Sequence, residues 1–122
     1  MTDTQVTGTD CNWTVTYTFT VKDACNNALT GQTYSNTGSD QTIPVWTTAA
    51  GGLDITKQCS DAAGIAAAQA MFPVASDNCD ADVTNIVKTS GAFVAGSCTE
   101  AGTYTNTWVV TDACGNTSAV FT

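Results

Sequence analysis

Between Cys11 and Cys25 the chain alternates without a break. Trp13, Val15, Tyr17, Phe19 and Val21 fall on one side, and Thr14, Thr16, Thr18 and Thr20 on the other. A helix would scatter these apolar positions, whereas a strand, whose side chains repeat every second residue, gathers them on one face. β-branched and aromatic residues strengthen the assignment, so the sequence predicts a strand over 12–22. The rhythm then returns: residues 102–114 end, like the first stretch, in Asp-Ala-Cys. Setting Cys114 on Cys25 places Thr103, Thr105, Thr107 and Val110 on Thr14, Thr16, Thr18 and Val21. Asp112, Ala113 and Asn116 then fall on Asp23, Ala24 and Asn27. The chain reads as a window on a tandem array. Residues 1–39 are expected to hold the last two strands of one repeat, and residues 40–122 a whole repeat.

The remaining segments follow from local chemistry. Residues 1–10 are polar and read as a lead-in, and 29–37 as the strand returning from an Asp23–Asn27 turn. Pro44 forces an extended backbone at Ile43 and marks a junction. Leu53, Ile55 and Lys57 alternate again. The alanine-rich run after Ser60 and Asp61, either of which can cap a helix, predicts a short helix at 61–70. So short a helix must rest Ile65 and Met71 on a sheet. Further strands are expected at 72–78, 83–89 (with Val83 and Val87 inward), 93–94, 102–111 and from 118. Seven strands and one helix in about 80 residues describe an all-β, immunoglobulin-like β-sandwich with one short helix, preceded by a two-strand segment.

Six cysteines in 122 residues indicate a disulfide framework and an oxidising, extracellular setting, secreted or at the cell surface. Zinc is disfavoured, because there is no histidine and no Cys-x-x-Cys pair. A strand of roughly 11 residues spans about 35 Å, while a disulfide needs Cα atoms within about 7 Å. Cys11–Cys25 and Cys98–Cys114 are therefore excluded unless the strand between them folds back. In a sandwich where 72–78 and 102–111 run the same way in opposite sheets, Cys59 meets Cys98 and Cys79 meets Cys114, with Cys59–Cys79 as the alternative. Cys11 and Cys25 are then unpaired in this chain or bonded to another subunit. No secretory signal is readable at the start, so processing has removed one or the sequence begins inside a longer protein. No apolar run approaches the length of a membrane helix.

The charge excludes several functions. Eleven acidic residues against Lys22, Lys57 and Lys88 give a net charge of −8. Phosphate neutralisation needs clustered Lys and Arg, so nucleic acid is not an expected partner, and neither is direct insertion into an anionic membrane. Without histidine or arginine, no Ser–His–Asp or Cys–His centre can be assembled, and no phosphate-binding glycine loop is present. The expectation is a protein that is not an enzyme.

Asp77-Asn-Cys-Asp80, the Gly102-Thr-Tyr-Thr start and the Asp112-Ala-Cys-Gly-Asn116 turn resemble HYR-like repeats. These are four-cysteine, immunoglobulin-like modules of very long surface proteins in Bacteroidetes-type bacteria, including gliding-associated adhesins. The likeness covers about 40–122, and its second half recurs at 11–46, with Asn26 where the second copy has Gly115. The resemblance implies a non-catalytic extracellular stalk, with neighbouring repeats or identical subunits as partners.

Two functions of different kinds remain. One is a structural repeat of an adhesin or filament, a spacer or a polymer subunit linked through β-strands and disulfides, in which 11–22 and 31–38 complete a neighbour's sandwich. The other is an adhesion module that binds a surface glycan or a protein. Asp77, Asn78, Asp80 and Asp82 offer the hard oxygens that calcium takes, with Asp112 joining if the two turns meet. The same residue types equally make turn hydrogen bonds, and no other cofactor is suggested. Trp13, Trp46 and Trp108 could form a sugar platform, but the alternation places Trp13 and Trp108 in the core. Asn12-Trp-Thr14 and Asn116-Thr-Ser118 match the N-glycosylation triplet.

Overall fold

Two long alternating strands need partners for their backbone N–H and C=O groups, and they find them within the chain. In the computed structural model, which describes all 122 residues, strand β1 (Asp3–Thr9), β2 (Asn12–Lys22) and β3 (Ala28–Gly38) form one antiparallel sheet in that order. This sheet accounts for the first of two compact units, Met1–Gln41; the second is Thr42–Thr122.

In the first unit β2 is central. The register sets Val6 and Asn36 beside Val15, Thr4 and Tyr34 beside Tyr17, and Gly8 and Gly38 beside Trp13. Directly paired residues share a face. One side of the sheet therefore carries Trp13, Val15, Tyr17, Phe19 and Val21, flanked by Val6, Leu29 and Tyr34. The other carries the threonines, where the Thr16 and Ser35 hydroxyls bond at 2.9 Å. The ring of Trp13 lies over Gly38, where any Cβ would collide with it. Trp13 is half-buried there rather than enclosed in a core. The polar lead-in is thus corrected: residues 3–9 form a strand. It escapes a sequence reading because Val6 is its one large apolar residue.

In the second unit the strands are short. β4 (Val45–Trp46) pairs with β5 (Ala75–Ser76), β6 (Ile86–Ser90) with β9 (Asn106–Val110), and β7 (Val94–Ala95) with β8 (Gly102–Thr103). Helix α1 (Ala62–Gln69) begins at Asp61, whose carboxylate accepts from the Gly64 N–H at 2.9 Å. Its end is tied down by Gln69: the Lys88 ammonium donates to the Gln69 carbonyl and Asn106 to the Gln69 side chain. Ile65 and Met71 are half-buried.

The core of this unit gathers on β9. Trp108, Val110, Phe121 and Val83 are buried, and Pro44 and Pro73 are fully enclosed. Trp108 and Phe121 meet at 5.9 Å between ring centroids, Trp46 and Phe121 at 5.6 Å, and Phe72 and Trp108 at 6.4 Å. The Trp46 indole N–H donates to the Ala119 carbonyl at 2.7 Å. Each large side chain so buried stabilises by about 1.5–3 kcal/mol.

The all-β class with a single short helix is observed, and several expected strands are not. Residues 53–59 form no strand, 72–78 contribute only two strand residues, and 102–111 break after Thr103. Val83 is buried ahead of β6, whereas Val87 is exposed, so the two do not share an inward phase.

Candidate functional site

The best-built local structure is the turn that closes each copy of the alternating strand. Asp23 Oδ1 accepts from the backbone N–H of Cys25 at 2.9 Å and of Asn27 at 2.8 Å, and Oδ2 accepts from the Asn27 side chain at 2.8 Å. Asp112 repeats the arrangement. Its Oδ1 accepts from Cys114 and Asn116 and its Oδ2 from the Asn116 side chain, all at 2.8 Å. Asn26 and Gly115 occupy the same left-handed position, with φ of 68° and 89°. Asparagine tolerates that region better than other side-chain-bearing residues.

The equivalence extends into the sheets. Phe19 pairs with Gln32 as Trp108 pairs with Phe121, and Lys22 with Ala28 as Thr111 with Thr117. Each pair is carried onto the other by the same shift that sets Cys25 on Cys114.

Both turn carboxyls are held below the ordinary aspartate range. For Asp23 the chief cause is the hydrogen bond from the Asn27 side chain, helped by the N–H groups of Asn27 and Cys25. For Asp112, which is 7% exposed, loss of water pushes the pKa up. The bonds from Asn116, Cys114 and Gly115 outweigh it and leave it lowered. The ionised carboxylate is what these donors favour.

The acidic stretch 77–82 lies beside the second turn, since Asp80 Oδ2 accepts from the Ala113 N–H at 3.1 Å. Its oxygens are mostly committed to the backbone. Asp77 Oδ2 accepts from Cys79 and Asp80, and Asp80 Oδ1 from Asp82. The Asn78 amide turns to the Cys79 sulfur at 3.1 Å, and Asp82 is exposed. Asp77 Oδ1 is buried without a hydrogen-bond partner. One carboxylate oxygen of Asp77 and one of Asp112 lie within 4.8 Å of each other. Asp77 and Asp80 thus act first as turn formers, and Asp112 joins Asp77 where Asn78 and Asp82 do not.

The cysteines depart from the expected pairing. Cys11 and Cys114 are each disulfide-bonded, while Cys25, Cys59 and Cys98 carry exposed thiols. The Cys59–Cys98 staple and its Cys59–Cys79 alternative are absent. Residues 53–59 are not a strand, and Cys98 lies in the turn closing β7 and β8, where Ala101 N–H donates to its carbonyl. Cys114 does not take Cys79, although their turns meet. The long parallel strands that were to align them are reduced to β5 and the broken 102–110 segment.

The tryptophans form no sugar platform in the second unit. Trp108 is buried, and Trp46 is packed on Phe121. The Asn116 amide is engaged by Asp112, so the second glycosylation triplet is not presented. A shallow groove of about 350 Å³ is lined by Phe72, Pro73, Val74, Ala75, Val83, Thr84 and Ile86, with no titratable group among them. No helix is long and apolar enough to cross a membrane. No family model, curated protein or solved structure matches the chain.

Proposed function

We propose that the chain is a non-catalytic structural repeat of an extracellular bacterial adhesin or filament, akin to the HYR-like modules its motifs resemble. The observation that carries the reading is the hairpin built twice: the same carboxylate-closed turn and the same strand register recur in both units. A chain that uses its best-defined chemistry to close turns has put it into shape rather than into a reacting centre. The disulfide-bonded Cys11 and Cys114 suit an oxidising compartment. Partners on this reading are neighbouring repeats or identical subunits.

The test is binding by the intact chain to immobilised polysaccharides and surface proteins. A spacer gives no saturable binding. Saturable binding that is lost on changing an exposed loop favours the second reading, an adhesion module for a glycan or protein.

Calcium stabilisation belongs to either reading and rests on the partnerless Asp77 Oδ1 near Asp112. Calcium raises the melting temperature if that oxygen is a ligand, and Asp77→Asn abolishes the rise. A melting temperature indifferent to calcium and to chelator rejects the site.

A further inference from the structure

We infer that the apolar face of the β1–β2–β3 sheet is a docking surface for the same face of a second copy of this chain. The inference rests on the module reading and gives that module its contact surface.

The shift that sets Cys25 on Cys114 sets Phe19 on Trp108 and Val21 on Val110. In the second unit these positions are the core: Val110 is 0% exposed, and Trp108 packs against Phe72 and against Phe121, which in turn meets Trp46. The first unit holds three strands in a single sheet and nothing else. Val21 is accordingly 51% exposed, and its neighbours on the same face are open too: Val6 at 70%, Leu29 at 59% and Tyr34 at 60%. A sheet with one apolar face is stabilised by burying that face against a second layer.

Charge and area favour a second copy as that layer. The chain carries −8 overall, which opposes self-association through most of its surface. This face has no charged residue: Asp3 pairs with Thr18 and Lys22 with Ala28, both on the threonine side. At a spacing of about 4.8 Å, β2 and β3 at about 36 Å and the shorter β1 at about 24 Å present roughly 450 Å². Two such faces bury about 900 Å², the size of a small, weak and transient interface. Sheets so paired stack about 10 Å apart, their strands within about 30° of parallel. A two-fold axis makes the contact self-complementary.

Sedimentation of the full chain tests this with two double variants. V6K/Y34K places lysines on the apolar face at positions already exposed. T33K/T37K places them on the threonine face of β3, the edge strand that carries Tyr34. The wild type and T33K/T37K are expected to be dimeric at about 100 μM, and V6K/Y34K to associate about 100-fold more weakly with an unchanged circular dichroism spectrum. A monomeric wild type, or a V6K/Y34K protein that dimerises as tightly, overturns the proposal. Equal loss in both variants also overturns it, because that pattern belongs to edge-to-edge pairing along β3. None of these outcomes alters the binding assay that decides between spacer and adhesion module.

Discussion

Asp23 and Asp112 show how one side chain can close a hairpin. A carboxylate four residues before an asparagine accepts two backbone N–H groups and the asparagine amide. The turn thereby satisfies its own polar groups. Because both folded pKa values lie below the ordinary 3.8, ionisation favours the folded state. The stability is present above the unfolded value and lost as pH falls through the lower folded one. The melting temperature is thus expected to hold steady near neutrality and to drop below about pH 3.8, with a shallower acid limb in D23N/D112N. An unchanged acid limb in that variant contradicts the assignment. The left-handed position predicts a second contrast. Gly115→Ala costs about 1–2 kcal/mol, while Asn26→Gly is tolerated because glycine accepts that backbone freely; thermal melts of the two variants compare them.

At the level of elements, the difference between the copies is packing. Trp108 touches Phe72 and Phe121, so Trp108→Ala is expected to cost about 3–5 kcal/mol. Its counterpart Phe19 lies on the uncovered sheet, so Phe19→Ala costs clearly less at concentrations where the chain is monomeric. Urea unfolding of both variants measures the difference. Trp46→Phe keeps the ring stack and loses the bond to Ala119, a change of about 1 kcal/mol. The strongly patterned elements could be read in advance. The alternation of β2, the turn residues flanking it and the Asp61 cap before an alanine run each carry a local physical signal. β1 could not, because an edge strand with one apolar side chain is specified by its partner β2 rather than by itself. Residues 53–59 mislead in the opposite sense. Leu53 and Ile55 alternate, but no neighbouring strand takes up their backbone groups, and Ile55 stays exposed.

For the whole molecule, what local sequence withholds is what covers what. Disulfide connectivity depends on which loops meet, and the pairing argued for Cys59, Cys79, Cys98 and Cys114 failed with the long strands on which it rested. Alkylation of the native protein is expected to label Cys25, Cys59 and Cys98, leaving Cys11 and Cys114 for reaction only after reduction. Labelling of Cys114 without reductant contradicts this. The acidic stretch was legible as a cluster but not in its roles, since spacing alone cannot show that Asp80 bonds Ala113 or that Asn78 turns to Cys79. One hairpin occurs twice, covered in the second unit and open in the first unless a second copy meets it. Amide hydrogen exchange across a concentration series tests this most directly. Residues 106–110 in β9 are expected to exchange slowly at every concentration, while 13–21 in β2 become protected only as the chain associates. Protection of β2 that equals that of β9 at the lowest concentration and does not change with association would contradict it.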